Sequence, residues 1–377
     1  MNNYQNIKNV NVGNPNSQNN ILLEVKELEN KIAQANLPIG LRENAMKAIQ
    51  RLQRSARLGT YSNEFSTVEK YIDWVTRIPF GKVTEDNLDL QNAKTIMDKT
   101  HYGMDTIKNL ILDYLSIMQV QKSRRVQSKE RGQSANAPVM LFLGLQGVGK
   151  TSIARSIAEA MGRKFVRVSL GAIGDVRTLR GANKSSLDAE PGQIVKSLIN
   201  TGTMNPVILL DELDKASGNA GLLNDVMAAL LEILDPEQNV NFTDHYIDYP
   251  IDISNVFFIC TANNLGGIST ALLDRMEVIR FTSYTDEEKT VIAKQYLLPR
   301  VLKNIGINEK YVIVDEEVWP ILVRPVGFDA GLRQLERNIA TMVRSATRKI
   351  VEGTQIPINI TAENIKQFVL PDQGPLS

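Results

Sequence analysis

Val139-Met-Leu-Phe-Leu143 followed by Gly144-Leu-Gln-Gly-Val-Gly-Lys-Thr151 is the stretch on which the fold turns. The second part matches G-x-x-x-x-G-K-[ST], a loop between a strand and a helix whose backbone N–H groups close around phosphates. The apolar run before it predicts the strand, and Ser152 onward predicts the helix, so the motif stands in the context its mechanism needs. The phosphates lie at the positive end of that helix. In such a loop Gly144, Leu145, Gln146, Gly147, Val148 and Gly149 form the cradle, Lys150 reaches the β and γ phosphates, and Thr151 holds Mg²⁺. ATP with Mg²⁺ is the ligand pair that this chemistry predicts.

Working outward, Val207-Ile-Leu-Leu-Asp-Glu212 is an apolar strand ending in two acids. Open α/β sheets bind ligands at the carboxyl ends of their strands. Asp211 is expected to complete the Mg²⁺ shell, and Glu212 to orient and deprotonate an attacking water. In isolation two such acids are as readily solvated strand caps. Beside the phosphate loop that reading weakens. Thr261-Ala-Asn263 ends the next apolar run, with Asn263 read either as a ligand to water or phosphate or as a turn former. Arg275 is either a transition-state arginine or a surface ion pair.

Short apolar runs at 139–143, 165–168, 207–210, 256–260 and 278–281 alternate with helical stretches, which predicts a parallel sheet covered on both faces. Residues 1–20 are Asn-rich and predict a disordered tail. From Ile21, apolar residues at helical spacing predict a helical hairpin through Ala56, either a packing face or an arm for a partner. Residues 121–138 are polar and basic. Lys122, Arg124, Arg125, Lys129 and Arg131 there fit a solvated linker better than a nucleic-acid contact. After Ser283, Thr285-Asp-Glu-Glu288 has capping-box spacing and opens a smaller, all-helical domain that includes 330–351. The expected division is a tail at 1–20, a helical segment at 21–100, a nucleotide-binding α/β domain at 101–283, a helical lid at 284–370 and a tail at 371–377.

Across 377 residues the net charge is +1, with 43% hydrophobic and 23% charged residues. That composition is ordinary for a globular chain, and near-neutrality argues against nucleic acid as a partner. The one cysteine, Cys260, lies in an apolar run and reads as a buried structural thiol. No run is long enough to span a membrane, and no secretory or mitochondrial leader is evident, so the expected compartment is cytoplasmic.

Beyond these motifs, several strings resemble the AAA+ ATPase module of the Lon protease family. They are His101-Tyr-Gly103, Gly162-Arg-Lys-Phe-Val-Arg-Val-Ser-Leu-Gly171, Leu209-Leu-Asp-Glu-Leu-Asp-Lys215, Ala229-Leu-Leu-Glu-Ile-Leu-Asp-Pro-Glu-Gln-Asn239, Asp244-His-Tyr246 and Leu272-Leu-Asp-Arg-Met-Glu-Val278. The likeness runs from about Leu22 to Leu370. It implies an AAA+ P-loop fold in which Tyr102 and Gly103 line the adenine pocket, Asn263 is sensor 1, Arg275 is a finger presented to a neighbour, and Arg333 is sensor 2. It also implies a homohexameric ring acting on unfolded or specific protein substrates in protein quality control.

The sequence also departs from that family. It ends at Ser377 with no Ser and Lys peptidase dyad, so a separate peptidase is one expected partner. In the 181–192 loop, Ser186 stands where Lon has a pore aromatic, and Leu187 keeps the aliphatic partner. A hydroxyl offers less contact area than a ring, so traction on a peptide should weaken. Leu145-Gln146 replaces a common Pro-Pro. The expected function is an ATPase that remodels or unfolds proteins. The alternatives are a nucleotide-gated scaffold, a DNA-directed motor, and an ATPase fragment of a full protease.

Overall fold

The computed structural model describes residues 15–57, 62–128, 139–173, 175–186, 188–215, 220–324 and 331–369. The expected tails at 1–14 and 371–377, the stretch 129–138 and Leu187 lie outside them.

Five strands form the central sheet: β1 (Val139–Leu143), β2 (Phe165–Ser169), β3 (Val207–Asp211), β6 (Phe257–Ala262) and β7 (Met276–Arg280). All pair in parallel in the order β2-β3-β6-β1-β7. The five expected apolar runs are these strands, shifted by a residue or two. A two-stranded antiparallel pair, β4 (Phe242–Thr243) and β5 (Pro250–Ile251), lies outside the sheet.

Period-two alternation divides the strand residues between two cores. Leu141, Leu143, Ile208, Leu210, Phe258 and Cys260 face one. Met140, Phe142, Val207, Leu209, Phe257 and Ile259 face the other. Cys260 is fully buried, and burial pushes its thiol pKa up, as a structural cysteine requires.

The first core also takes in the N-terminal helices α1 (Pro15–Gln34), α2 (Ile39–Arg57) and α3 (Ser62–Arg77) through Val25, Leu28, Ile32, Leu41, Ile49, Ile72 and Val75. The expected hairpin is thus part of a three-helix unit sharing one core with the sheet. Residues 15–20 are helical, which corrects the tail reading there: the helix that buries Val25 and Leu28 extends back through polar residues. Helix α4 (Leu90–Thr100), capped by Asp89, buries Ala93 and Met97 in the second core. By packing, therefore, the α/β body begins before 101. Helix α5 (Asp105–Ser128) also runs past Val120, so 121–128 is helix and not linker. Its last two turns continue the backbone hydrogen bonding with Val126 as their one apolar residue, too few to mark a period.

Five helices complete the body: α6 (Lys150–Ala160), α7 (Arg177–Arg180), α8 (Gln193–Thr201), α9 (Ala220–Leu234) and α10 (Thr270–Leu273). The C-terminal unit holds α11 (Asp286–Ile292), α12 (Leu298–Ile305), α13 (Val318–Val323) and α14 (Arg333–Val351), with a core of its own. The capping box is formed: Glu288 N donates to Thr285 Oγ1 at 3.2 Å, and Thr285 N donates to Glu288 Oε2 at 2.8 Å. This unit is not all helical. Strands β8 (Val312–Val314) and β9 (Ile358–Ile360) pair in parallel, and three residues each are too few for alternation to declare itself in sequence.

Candidate functional site

The loop from Gly144 to Thr151 joins β1 to α6, and its glycines are required by space. A Cβ on Gly144 would stand 2.7 Å from Phe281 O, closer than real carbons approach. Gly147 (φ +82°) and Gly149 (φ +96°) adopt left-handed backbone that glycine takes at least cost. Lys150 opens the helix with its stem buried. Its Nζ donates to Leu145 O at 3.0 Å and to Asn263 Oδ1 at 3.1 Å, and also to Gly144 O. Burial pushes the Lys150 pKa down, and the Asp211 and Asp214 carboxylates oppose that shift.

Asp211 ends β3, buried beside β6. Thr261 Oγ1 donates to its Oδ1, and Arg167 Nε donates to its Oδ2 at 2.6 Å. Glu212 follows with φ +62°, a costly backbone for a residue with a Cβ. Its N–H donates to Thr261 Oγ1 at 3.0 Å, and its Oε1 accepts from Lys215 Nζ at 2.8 Å. One hydroxyl therefore fixes the side chain of the first acid and the backbone of the second. Strain of this kind collects at functional sites and persists because neighbours over-determine it.

These groups line one cavity of about 280 Å³. Of the residues expected at the site, Tyr102, Gln146, Gly147, Gly149, Lys150, Thr151, Asp211, Glu212, Asn263 and Arg333 line it. Gly144, Leu145 and Val148 form the rest of the loop, and Gly103 adjoins Tyr102 as a left-handed turn residue, φ +61°. Arg275 is not in the lining. Its Nη2 donates to Asp235 Oδ2 at 2.9 Å, away from this cavity.

The C-terminal unit closes the cavity's other side. Leu332 N donates to Gly147 O at 3.0 Å, Arg333 Nη1 to Gln146 Oε1 at 2.9 Å, and Tyr284 OH to Val148 O at 3.0 Å. A Cβ on Gly331 would fall 2.4 Å from Gln146 O, so glycine is what lets this turn touch the loop.

Sequence reasoning missed Thr261, Arg167, Tyr284, Tyr296 and Arg300. Arg167 had a signal, a cation within an apolar strand, and Thr261 had one in standing at the next-to-last position of β6, two residues before Asn263. His101 also lines the cavity, with burial, then Lys108 and Arg300, lowering its pKa to about 4. A phosphate group fits the glycine cradle and buried ammonium. Among the described residues no cluster of three or more His, Cys, Asp or Glu would hold a metal ion unaided. Thr151 and Asp211 fit a metal that takes its remaining ligands from phosphate and water.

A phosphate loop leading into α6, acids at the end of β3 and a following helical lid define an AAA+ P-loop ATPase, and residues 140–284 match the family described as ATPase family associated with various cellular activities (AAA). Residues 303–358 match the Lon protease AAA+ ATPase lid domain. The chain is 44% identical to Lon protease 2 of Thermus thermophilus over 92% of its own length and 43% of that protein. It is 40% identical to the Lon protease of Lawsonia intracellularis, over 92% of this chain and 40% of that one. The chain belongs to the AAA+ ATPases of the Lon family and spans about two-fifths of the length of these curated relatives. Among the described residues no helix is long and apolar enough to cross a membrane.

Proposed function

We propose that this chain hydrolyses ATP and uses the cycle to remodel or unfold protein substrates. The observation that carries the reading is the convergence of Lys150, Asp211, Glu212 and Asn263 with lid residue Arg333 around one cavity. The loop amides and Lys150 hold the phosphates, while Asn263 and Arg333 fix the γ end. Glu212 orients a water and takes its proton as the water oxygen bonds to the γ phosphorus. The bond from that phosphorus to the β,γ-bridging oxygen breaks, leaving ADP and inorganic phosphate. Thr151 and Asp211 would hold Mg²⁺, which would supply neutralisation of charge on the phosphates.

Arg275 is proposed to serve a neighbour's site. Its ion pair with Asp235 outside its own cavity supports that role and a head-to-tail ring, a homohexamer by family likeness. The cytoplasm is the proposed compartment, and protein quality control the proposed setting.

Steady-state ATP hydrolysis with and without an unfolded casein-type polypeptide tests the reading, with Glu212→Gln as control. Stimulated hydrolysis that the control abolishes is expected. Hydrolysis indifferent to polypeptide would favour a nucleotide-gated scaffold, which Ser186 on an exposed loop also favours. No hydrolysis from assembled protein would refute the assignment of the site.

A further inference from the structure

The excursion between Gly181 and Gly192 is closed at its root. Ala182 N donates to Glu190 O at 3.1 Å, and Gly192 N donates to Asp244 Oδ2 at 2.7 Å. Asp244 is fully buried, and its Oδ1 accepts from Tyr246 N at 2.9 Å and Ile247 N at 3.1 Å. A Cβ on Gly192 would stand 2.0 Å from Leu179 O, and one on Gly181 would stand 2.6 Å from Asp244 Oδ1. Both ends of the excursion are therefore held by backbone that admits only glycine.

Above the root, each arm meets helix α3, more than a hundred residues earlier in the chain. On the outgoing arm, Lys184 Nζ lies 4.4 Å from the centroid of the Tyr71 ring and 3.6 Å from Asp248 Oδ2. On the returning arm, Glu190 pairs with Lys70 at 3.4 Å and Lys196 at 2.8 Å. Tyr71 is itself fixed: its ring is buried and its hydroxyl donates to Ile247 O at 3.3 Å, beside the carboxylate that pins the root. Between the arms, Asn183 Oδ1 accepts from Ser185 N at 3.1 Å and Ser186 N donates to Asn183 O at 2.9 Å, so the exposed turn is ordered by its own bonds.

We infer that helix α3 is a positioning element for the 182–190 loop, with Lys70 and Tyr71 gripping Glu190 and Lys184 so that the N-terminal helices and the loop move as one body. A force or bound partner on α1–α3 then reaches the loop directly, without passing through the nucleotide cavity. Its consequence for substrate handling rests on the proposed remodelling function. The mechanical link itself does not.

Lys70 and Lys184 are half-exposed, so Lys70→Ala combined with Lys184→Met leaves the buried Tyr71 ring in place and the fold intact. Hydrogen exchange is measured on the full chain. Amides 183–190 should exchange roughly threefold faster or more in the double variant, the scale expected for loss of a cation–π contact and a surface ion pair. Amides of β3 and α6 should not change. Lys70→Ala alone, on a helix outside the loop, should give part of the effect, and Lys70→Arg should restore it. Unchanged loop exchange in the double variant overturns the inference. Where wild type is stimulated by polypeptide, the double variant should lose stimulation at unchanged basal hydrolysis. If wild type is not stimulated, the remodelling reading falls while the exchange result still decides the link.

Discussion

Gly331→Ala tests the contact between the lid and the phosphate loop. The added methyl would lie 2.4 Å from Gln146 O and 2.9 Å from Gly147 C and Cα, where carbons need at least 3.0 Å. These obstacles are backbone, so no side chain swings aside, and either the loop or the 331–333 turn must move by roughly half an ångström or more. Overpacking of this kind costs about 1–3 kcal/mol. The bonds from Leu332 to Gly147 and from Arg333 to Gln146 are what the movement breaks, so the cost falls on the closed cavity more than on either core. Nucleotide affinity should drop by about 5- to 150-fold, with hydrolysis falling alongside. Titration with a fluorescent ATP analogue reads the effect, and thermal melting checks that the body stays folded. Gly266→Ala, whose methyl meets only Asn264 Oδ1 at 3.4 Å, is the neutral control. Affinity within twofold of wild type in a folded Gly331→Ala protein would refute the claim that the lid shapes the loop.

Arg163 and Asp86 form a bidentate pair, 2.7 Å on each arm, with side chains only 6% and 18% exposed. Arg163→Met should cost about 1.5–3 kcal/mol in urea unfolding by removing the charged donor of a half-buried carboxylate, and adding Asp86→Asn should recover part of it. His101 titrates near 4 in the fold against 6.5 when free. Between those values the unfolded chain binds the extra proton, so stability from this group is complete above 6.5 and is lost as pH falls toward 4. The slope is at most about 1.4 kcal/mol per pH unit. His101→Phe should flatten the fall in urea midpoint between pH 7 and 5. Arg275→Ala should bind nucleotide yet lose on the order of a thousandfold in hydrolysis, and mixing it with Glu212→Gln should restore phosphate release. A mixture as dead as its components would exclude a finger working between subunits.

What the sequence disclosed depended on how local the determinant was. The phosphate loop and the acids after β3 are contiguous strings, so their place at the strand ends could be read directly. Arg167 and Thr261 act on Asp211 from two other strands, and only the parallel register of β2, β3 and β6 brings them to it. The hairpin was legible at Val25, Leu28, Ile32, Leu41 and Ile49 because period 3.6 marks a buried stripe. That it shares a core with one face of the sheet was not, since periodicity says which face is buried but not against what. The end of α5 and the pair β8–β9 were missed for related reasons: one has a single apolar residue, Val126, and so no period, the other too few residues to show any.

The lid contacts also bear on how hydrolysis can do work. Gln146 through its side chain, and Gly147 and Val148 through their carbonyls, each bond a group from beyond β7, so a change at the phosphates reaches the lid through the loop itself. Lys150 meanwhile ties that loop to Asn263 at the end of β6, on the sheet side. A γ phosphate between Lys150, Asn263 and Arg333 would draw sheet and lid together, and its loss would leave Arg333 with the neutral Gln146 as its hydrogen-bond partner among the described residues. Charge-assisted bonds are about twice as strong as neutral ones, so the closed arrangement must weaken when the phosphate departs. The loop at 181–192 is fastened to Asp244 and α3 and takes no bond from the lid among the described residues. Movement of the lid therefore does not reach the loop by a direct bond, and the loop travels with the N-terminal helices to which it is held.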